Sequence, residues 1–170
     1  GLHGVVSPTV FIPIAEEQKL DRAIGLQALE SACDYISIME SQQGEAIPMS
    51  VNITANQLLD PNFPDEAVHI CSLSHVSPEF IELELTESVF IRDEKQALRA
   101  LTELRERGFK LSLDDFGTGF SSLSYLRSFQ FEVVKVDRSL VQGIHKDSKA
   151  NALFLGLVSM LKSLQIDVVV

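Results

Sequence analysis

Asp114 and Asp115 stand side by side in the stretch LSLDDFGTGFSSLSYL (111–126), where an apolar strand-like run gives way to a turn bracketed by Gly117 and Gly119. Adjacent carboxylates repel unless solvent, a basic partner or a metal ion offsets them. Other polar residues fall at comparable strand ends: Asn52 in MSVNIT (49–54), Glu84 and Glu87 in FIELELTE (80–87), and Lys135 and Asp137 in EVVKVD (132–137). Five carboxylates and one carboxamide then surround a single lysine, and one cation cannot neutralise the set. Oxygen donors without histidine or cysteine suit hard divalent ions, Mg2+ or Mn2+. Two such ions, served by the paired aspartates, would clamp the attacking and leaving oxygens of a phosphate ester. The competing reading is a group of solvated loop acids plus a buried Lys–Asp pair. Spacing alone leaves the two level.

His3, His69, His75 and His145 all fall in expected helices or loops, which argues against a histidine-bound zinc. The GTG at 117–119 lacks the GK[ST] ending of a phosphate-binding loop. It is either a plain tight turn into SSLSYL or a mobile loop that holds the aspartates in place.

These residues need a frame. Apolar residues alternate at period two in 49–54, 80–87, 110–116, 132–137 and DVVV (167–170), with helix-period stretches between. One helix is expected from an Asp93 N-cap to Gly108, with Ala97, Leu98, Leu101 and Leu104 on one face. A second starts near Ser148 and aligns Leu153, Phe154, Leu157, Val158, Leu161 and Leu164. A third covers about 21–41, with Leu26, Leu29, Cys33, Ile36 and Met39 inward. Alternating strands and helices imply right-handed βαβ units and a parallel sheet. Within each strand one face is apolar and the other polar: Ile81, Leu83 and Leu85 against Glu82, Glu84 and Thr86. A barrel accounts for this, with helices outside and polar side chains gathered inside toward the C-terminal mouth. An open sheet with one solvated face is the alternative, and parallel sheets rarely expose a face.

The chain has 170 residues, 45% of them hydrophobic, enough for one domain with a real core. A closed (β/α)8 barrel usually takes ~250 residues, so about five βα units of a modified TIM barrel are expected, with residues 1–170 read as one partial domain truncated at both ends. Cys33 and Cys71 match no metal spacing or disulfide framework, which suggests a reduced, cytoplasmic setting. No signal peptide is evident, and the longest apolar run, NALFLGLVSML, stops at Lys162, short of the ~20 residues that span a bilayer. A net charge of -10 argues against general nucleic-acid binding.

FIPIAEE, SVNITANQLLDPNF, ELELTES, LDDFGTGFSSLSYLRSF and VVKVDRSLV occur in this order along nearly the whole chain. Together they resemble the EAL-domain family of bacterial cyclic di-GMP phosphodiesterases. The resemblance implies a modified (β/α)8 barrel that hydrolyses cyclic di-GMP to linear pGpG with Mg2+ or Mn2+. Asn52, Glu84, Asp114 and Asp115 match the family's metal ligands. Lys135 matches the lysine at the attacking water, and it and Asp115 carry the implied catalytic roles. Glu87, with Gly117 and Gly119, matches the residues that steady the loop after the paired aspartates, and Asp137 lines the same site. Phe120 stands where the family commonly has Tyr. A homodimer through the barrel helices is also implied, in a parent protein that other domains could anchor to a membrane.

The name-giving Glu-Ala-Leu strand, the arginine after it, the late EGVE glutamate and a following glutamine fall outside residues 1–170. Every ligand position inside that range is intact. A phosphodiesterase seen in part is the favoured reading, and a non-catalytic module that binds cyclic di-GMP or a protein partner is the alternative.

Overall fold

The computed structural model describes residue 4, residues 6–118 and residues 124–170. Gly119 and Phe120 lie outside the described residues. The period-two runs form five parallel strands, β1 (Met49–Asn52), β2 (Ile81–Thr86), β3 (Lys110–Phe116), β4 (Val133–Val136) and β5 (Asp167–Val169). They lie side by side in chain order. Between them run α1 (Pro8–Glu17), α2 (Asp21–Gln43), α3 (Ala55–Leu58), α4 (Phe63–Leu73), α5 (Ser88–Glu106), α6 (Ser124–Ser128), α7 (Arg138–Val141) and α8 (Ser148–Ser163). An α/β sheet whose neighbours are consecutive, each joined by a helical crossover, is the arrangement from which (β/α) barrels are built.

Alternation sorts the strand residues as their chemistry requires. Val51, Ile81, Leu83, Leu85, Leu111, Leu113, Val134 and Val136 are buried in one core with Leu29, Ile36, Leu101 and Leu104 from the helices. Each such fully buried side chain contributes about 1.5–3 kcal/mol. The other face carries Ser50, Asn52, Glu82, Glu84, Ser112, Asp114 and Lys135. Register places Asn52 opposite Glu84, Glu84 opposite Ser112, and Thr86 opposite Asp114.

The helices depart from the sequence expectation in three places. The segment after β2 is already helical from Ser88, and Asp93 is a kink within it, at φ -155 and ψ 93. Its carboxylate still accepts the Gln96 N–H at 2.9 Å, so it caps the second part of the helix. Gly108, at φ +100, ends that helix with the Phe109 N–H bonded back to the Leu104 carbonyl. On α8, Leu153 and Leu164 do not share the buried face: Leu153 is 74% exposed, and only Leu161 of that helix is fully buried. The helix α1 was not read from the sequence, because Pro8 and Pro13 mask its periodicity. Among the described residues no helix is long and apolar enough to cross a membrane.

Candidate active site

A β-bulge explains how two adjacent aspartates can both leave the apolar face. Leu113 pairs with Val134 and Phe116 with Val136, so Asp114 and Asp115 together oppose the single residue Lys135. Asp115 takes up the extra residue in the left-handed region, at φ +53, a conformation aspartate tolerates better than most side chains. Strict alternation would have sent Asp115 into the helix layer and Phe116 to the polar face. Instead Phe116 is buried and Asp115 is exposed. The Asp115 N–H donates to Asp114 Oδ1 at 2.9 Å, which fixes the first carboxylate against the bulge.

Lys135 reaches across the sheet. Its ammonium donates to Oε1 of the buried Glu84 and lies 3.9 Å from Glu82 Oε1, which also accepts the Ser50 hydroxyl at 3.3 Å. Burial works against the ammonium, but the Glu84 hydrogen bond and the charges of Glu84, Glu82 and Asp114 outweigh it and hold the Lys135 pKa above its ordinary value. The Lys–Asp pair considered from sequence is therefore corrected. Asp137 sits at the N-cap of α7, where its carboxylate accepts the Ser139 N–H at 2.8 Å. Hydrogen bonding by the Ser139 side chain, and then by the Ser139 N–H, holds its pKa low. Asp115 shifts the opposite way: burial first, then the charges of Asp114 and Asp137, push its pKa up. The Asp115 carboxylate is thus repelled by both Asp114 and Asp137 at the C-terminal ends of β3 and β4.

Beyond the bulge, Thr118 folds back on the Asp115 carbonyl through its hydroxyl at 2.9 Å. Gly117 has φ +98, and a Cβ there would meet Leu140 Cδ1 at 2.1 Å, so glycine is required twice over. Its N–H donates to Oε2 of the buried Glu87 at 3.4 Å, while Oε1 of that carboxylate accepts the Tyr125 hydroxyl at 2.6 Å. Glu87 thereby ties the residues on either side of 119–123. Tyr125 was missed in the sequence, as were Glu82 and Ser112. The LSL alternation puts Ser112 on the polar face, where its hydroxyl is fully buried with no hydrogen-bond partner among the described residues.

Asn52 closes β1 at the open end of the group. The Ile53 N–H bonds the Glu84 carbonyl at 2.8 Å and Thr54 starts α3 with a capping box to Gln57, so the strand turns away directly after Asn52. A cavity of about 1050 Å³ runs along the edge of β1 from Asp21 and Tyr35, and it touches the site at Ser50, Asn52 and Thr86. Among the described residues no three Asp, Glu, His or Cys side chains converge on one metal-sized point. The donor set nevertheless fits a hard cation. It offers oxygens only, and burial followed by the charges of Asp114 and Asp137 already raises the Asp115 pKa, a cost that a divalent ion would relieve. The histidines lie apart: His69 is on α4, His75 and His145 are in turns, and His3 lies outside the described residues.

Known proteins resemble this arrangement along most of its length. The chain is 38% identical over 98% of its length to a signaling protein of Caulobacter vibrioides, covering 20% of that protein. It is 33% identical to the cyclic di-GMP phosphodiesterase PA2567 of Pseudomonas aeruginosa over 93% of its length and 27% of the relative. It thus spans about a quarter or less of the curated relatives it matches. Among solved structures, the PaMucR phosphodiesterase in complex with c-di-GMP superposes with a TM-score of 0.89 at 30% identity, covering 98% of this chain and 67% of that one. The BlrP1 calcium/cy-diGMP complex of Klebsiella pneumoniae gives 0.76 at 27% identity, over 89% and 38%. The chain therefore covers about two fifths to two thirds of these longer chains. A family model described as the EAL domain matches residues 1–170, and the chain belongs to the EAL domain family.

Proposed function

We propose that this chain supplies the central metal-binding strands of a cyclic di-GMP phosphodiesterase that releases linear pGpG. The observation that carries the reading is the bulge, which brings Asp114 and Asp115 out beside Glu84 and Lys135 in a chain of this family. Asn52, Glu84, Asp114 and Asp115 would hold Mg2+ or Mn2+, two ions being the number that adjacent aspartates serve. Bound there, the ions supply charge neutralisation at the phosphodiester and an acidified water.

The chain's own residues do the positioning. Glu84 would serve as an oxygen ligand to a cation, and the Lys135 ammonium would orient the attacking water and donate to charge developing on the phosphoryl oxygens. Asp115, at the bulge, is exposed on the side of the group that the phosphodiester would approach. Asp137 keeps the wall of the site rigid by capping α7, and Glu87 with Gly117 steadies the turn that carries the bulge. The exposed Leu153 and Leu155 of α8 support pairing of two copies through the helix layer.

The experiment is Asp114→Asn in the whole protein, which keeps the side-chain shape and removes the charge. Loss of an ion's direct ligand should exceed the ~10–100-fold cost of disturbing a supporting residue, with the fold retained. Turnover retained at saturating Mg2+ would take Asp114 out of the metal site. A second reading, a module that binds cyclic di-GMP without cleaving it, draws on the Lys135–Glu84 pair, which neutralises Glu84 with no metal. Under it, cyclic di-GMP would bind equally well with and without chelator, and no pGpG would form.

A further inference from the structure

The chain's only two cysteines, separated by 38 positions, meet in the core. Cys33 faces inward from α2 and Cys71 from α4, with exposures of 0% and 1% and their sulfurs 3.7 Å apart. The α2 and α4 helices pack directly on each other, and each precedes a strand of the site, β1 with Asn52 and β2 with Glu84. A disulfide needs its sulfurs at about 2.05 Å, so the two sulfurs, already in contact, must approach further for the bond to form. Neither thiol takes part in the chemistry proposed above.

We propose that Cys33 and Cys71 are an oxidisable dithiol that closes to a disulfide, tying α2 to α4, when the protein meets hydrogen peroxide. The Cys33 S–H is the donor to the Cys71 sulfur. That hydrogen bond favours the Cys71 thiolate, while the same bond and burial keep Cys33 protonated. Cys71 is therefore the attacking sulfur. It takes one oxygen from peroxide as a sulfenic acid and releases the first water. Cys33 then attacks that sulfur, the S–S bond forms, the S–OH bond breaks and the second water leaves. Two thiols and one peroxide become one disulfide and two waters, with the two electrons passing from sulfur to peroxide. Peroxide is small and neutral, so a local opening of the helix layer admits it to a pair that larger disulfide reagents cannot reach. A closed bond fixes the spacing of the two helices that lead into β1 and β2.

The purified protein, freed of reductant, is treated with hydrogen peroxide, acid-quenched, alkylated under denaturing conditions and digested. The expected product is a Cys33–Cys71 linked peptide pair, lighter by about 2 Da than the two free thiol peptides and separated again by dithiothreitol. In Cys71→Ala, the same treatment should leave Cys33 open to alkylation. Two alkylated cysteines in the treated wild type, or oxidation to sulfinic acid with no linked pair, would overturn the proposal. Oxidised Cys33 in Cys71→Ala would overturn the assignment of Cys71 as the attacking sulfur.

Discussion

The Tyr125 hydroxyl donates a 2.6 Å hydrogen bond to Oε1 of Glu87, and both groups are buried. The Tyr125 ring stacks on Phe90 with centroids 4.1 Å apart, so removing the hydroxyl alone leaves the packing in place. Tyr125→Phe takes a donor from a buried carboxylate, which should cost about 1–3 kcal/mol. Urea denaturation should show a lower midpoint with an unchanged slope. An unmoved midpoint would mean that the hydrogen bond contributes nothing to the fold.

At Gly117 the prediction separates two sources of strain. Gly117→Ala should destabilise the protein by about 1–3 kcal/mol, through a positive φ and through the clash with Leu140. Adding Leu140→Ala opens the space but leaves the φ cost. The double variant should therefore lose less than the sum of the two single losses, by about 0.5 kcal/mol or more. Strict additivity in thermal melts would show that Leu140 gives way freely.

The strand faces were legible because alternation is a local rule, and Leu83 against Glu84 follows it. The bulge was not. Adjacent aspartates do not reveal which of them breaks the alternation, since that depends on the register with β4 and on a left-handed Asp115. The partner of Lys135 was misread for a similar reason. Lys135 spans β3 to reach Glu84 on β2, two strand spacings (~9.6 Å) away, while Asp137 is engaged at the N-cap of α7, and neither the strand order nor that cap is a local pattern. Periodicity in α8 showed which residues share a stripe, but not how far along the stripe the core extends, and Leu153 lies beyond it. The contact between Cys33 and Cys71 depends on how α2 packs on α4, and no local pattern carries that.

Lys135→Ala tests whether the ammonium does more than neutralise Glu84. If neutralisation is its whole role, the variant strands a buried carboxylate, and stability and Mn2+ affinity fall together, with a stability loss of about 3–5 kcal/mol. The proposed role predicts a different split: kcat for cyclic di-GMP falls by about 100-fold or more while Mn2+ affinity changes by less than about 10-fold. Calorimetric Mn2+ titration beside steady-state kinetics reads both quantities. An unchanged kcat would remove Lys135 from the reaction.

Asp115 gives a pH dependence of definite sign. Its folded-state pKa lies above the ordinary 3.8, because burial and the charges of Asp114 and Asp137 disfavour the carboxylate. The folded protein therefore holds that proton more tightly than the unfolded chain does. Stability is lost as pH rises from the ordinary value through the raised one, and the deficit persists at neutral pH. Asp115→Asn removes the charge, and asparagine tolerates the left-handed backbone equally well. The metal-free variant should be more stable than the wild type at neutral pH by about 0.2–1 kcal/mol, the modest size expected for a solvent-screened carboxylate. Near pH 3 the difference should vanish, since about that pH both states of the wild type are protonated. Saturating Mn2+ should reverse the order, because an ion that binds only the folded wild type adds to its stability. Thermal melts at the two pH values, with and without Mn2+, test all three statements. A metal-free Asp115→Asn variant less stable at neutral pH would show that repulsion among these carboxylates does not govern the site.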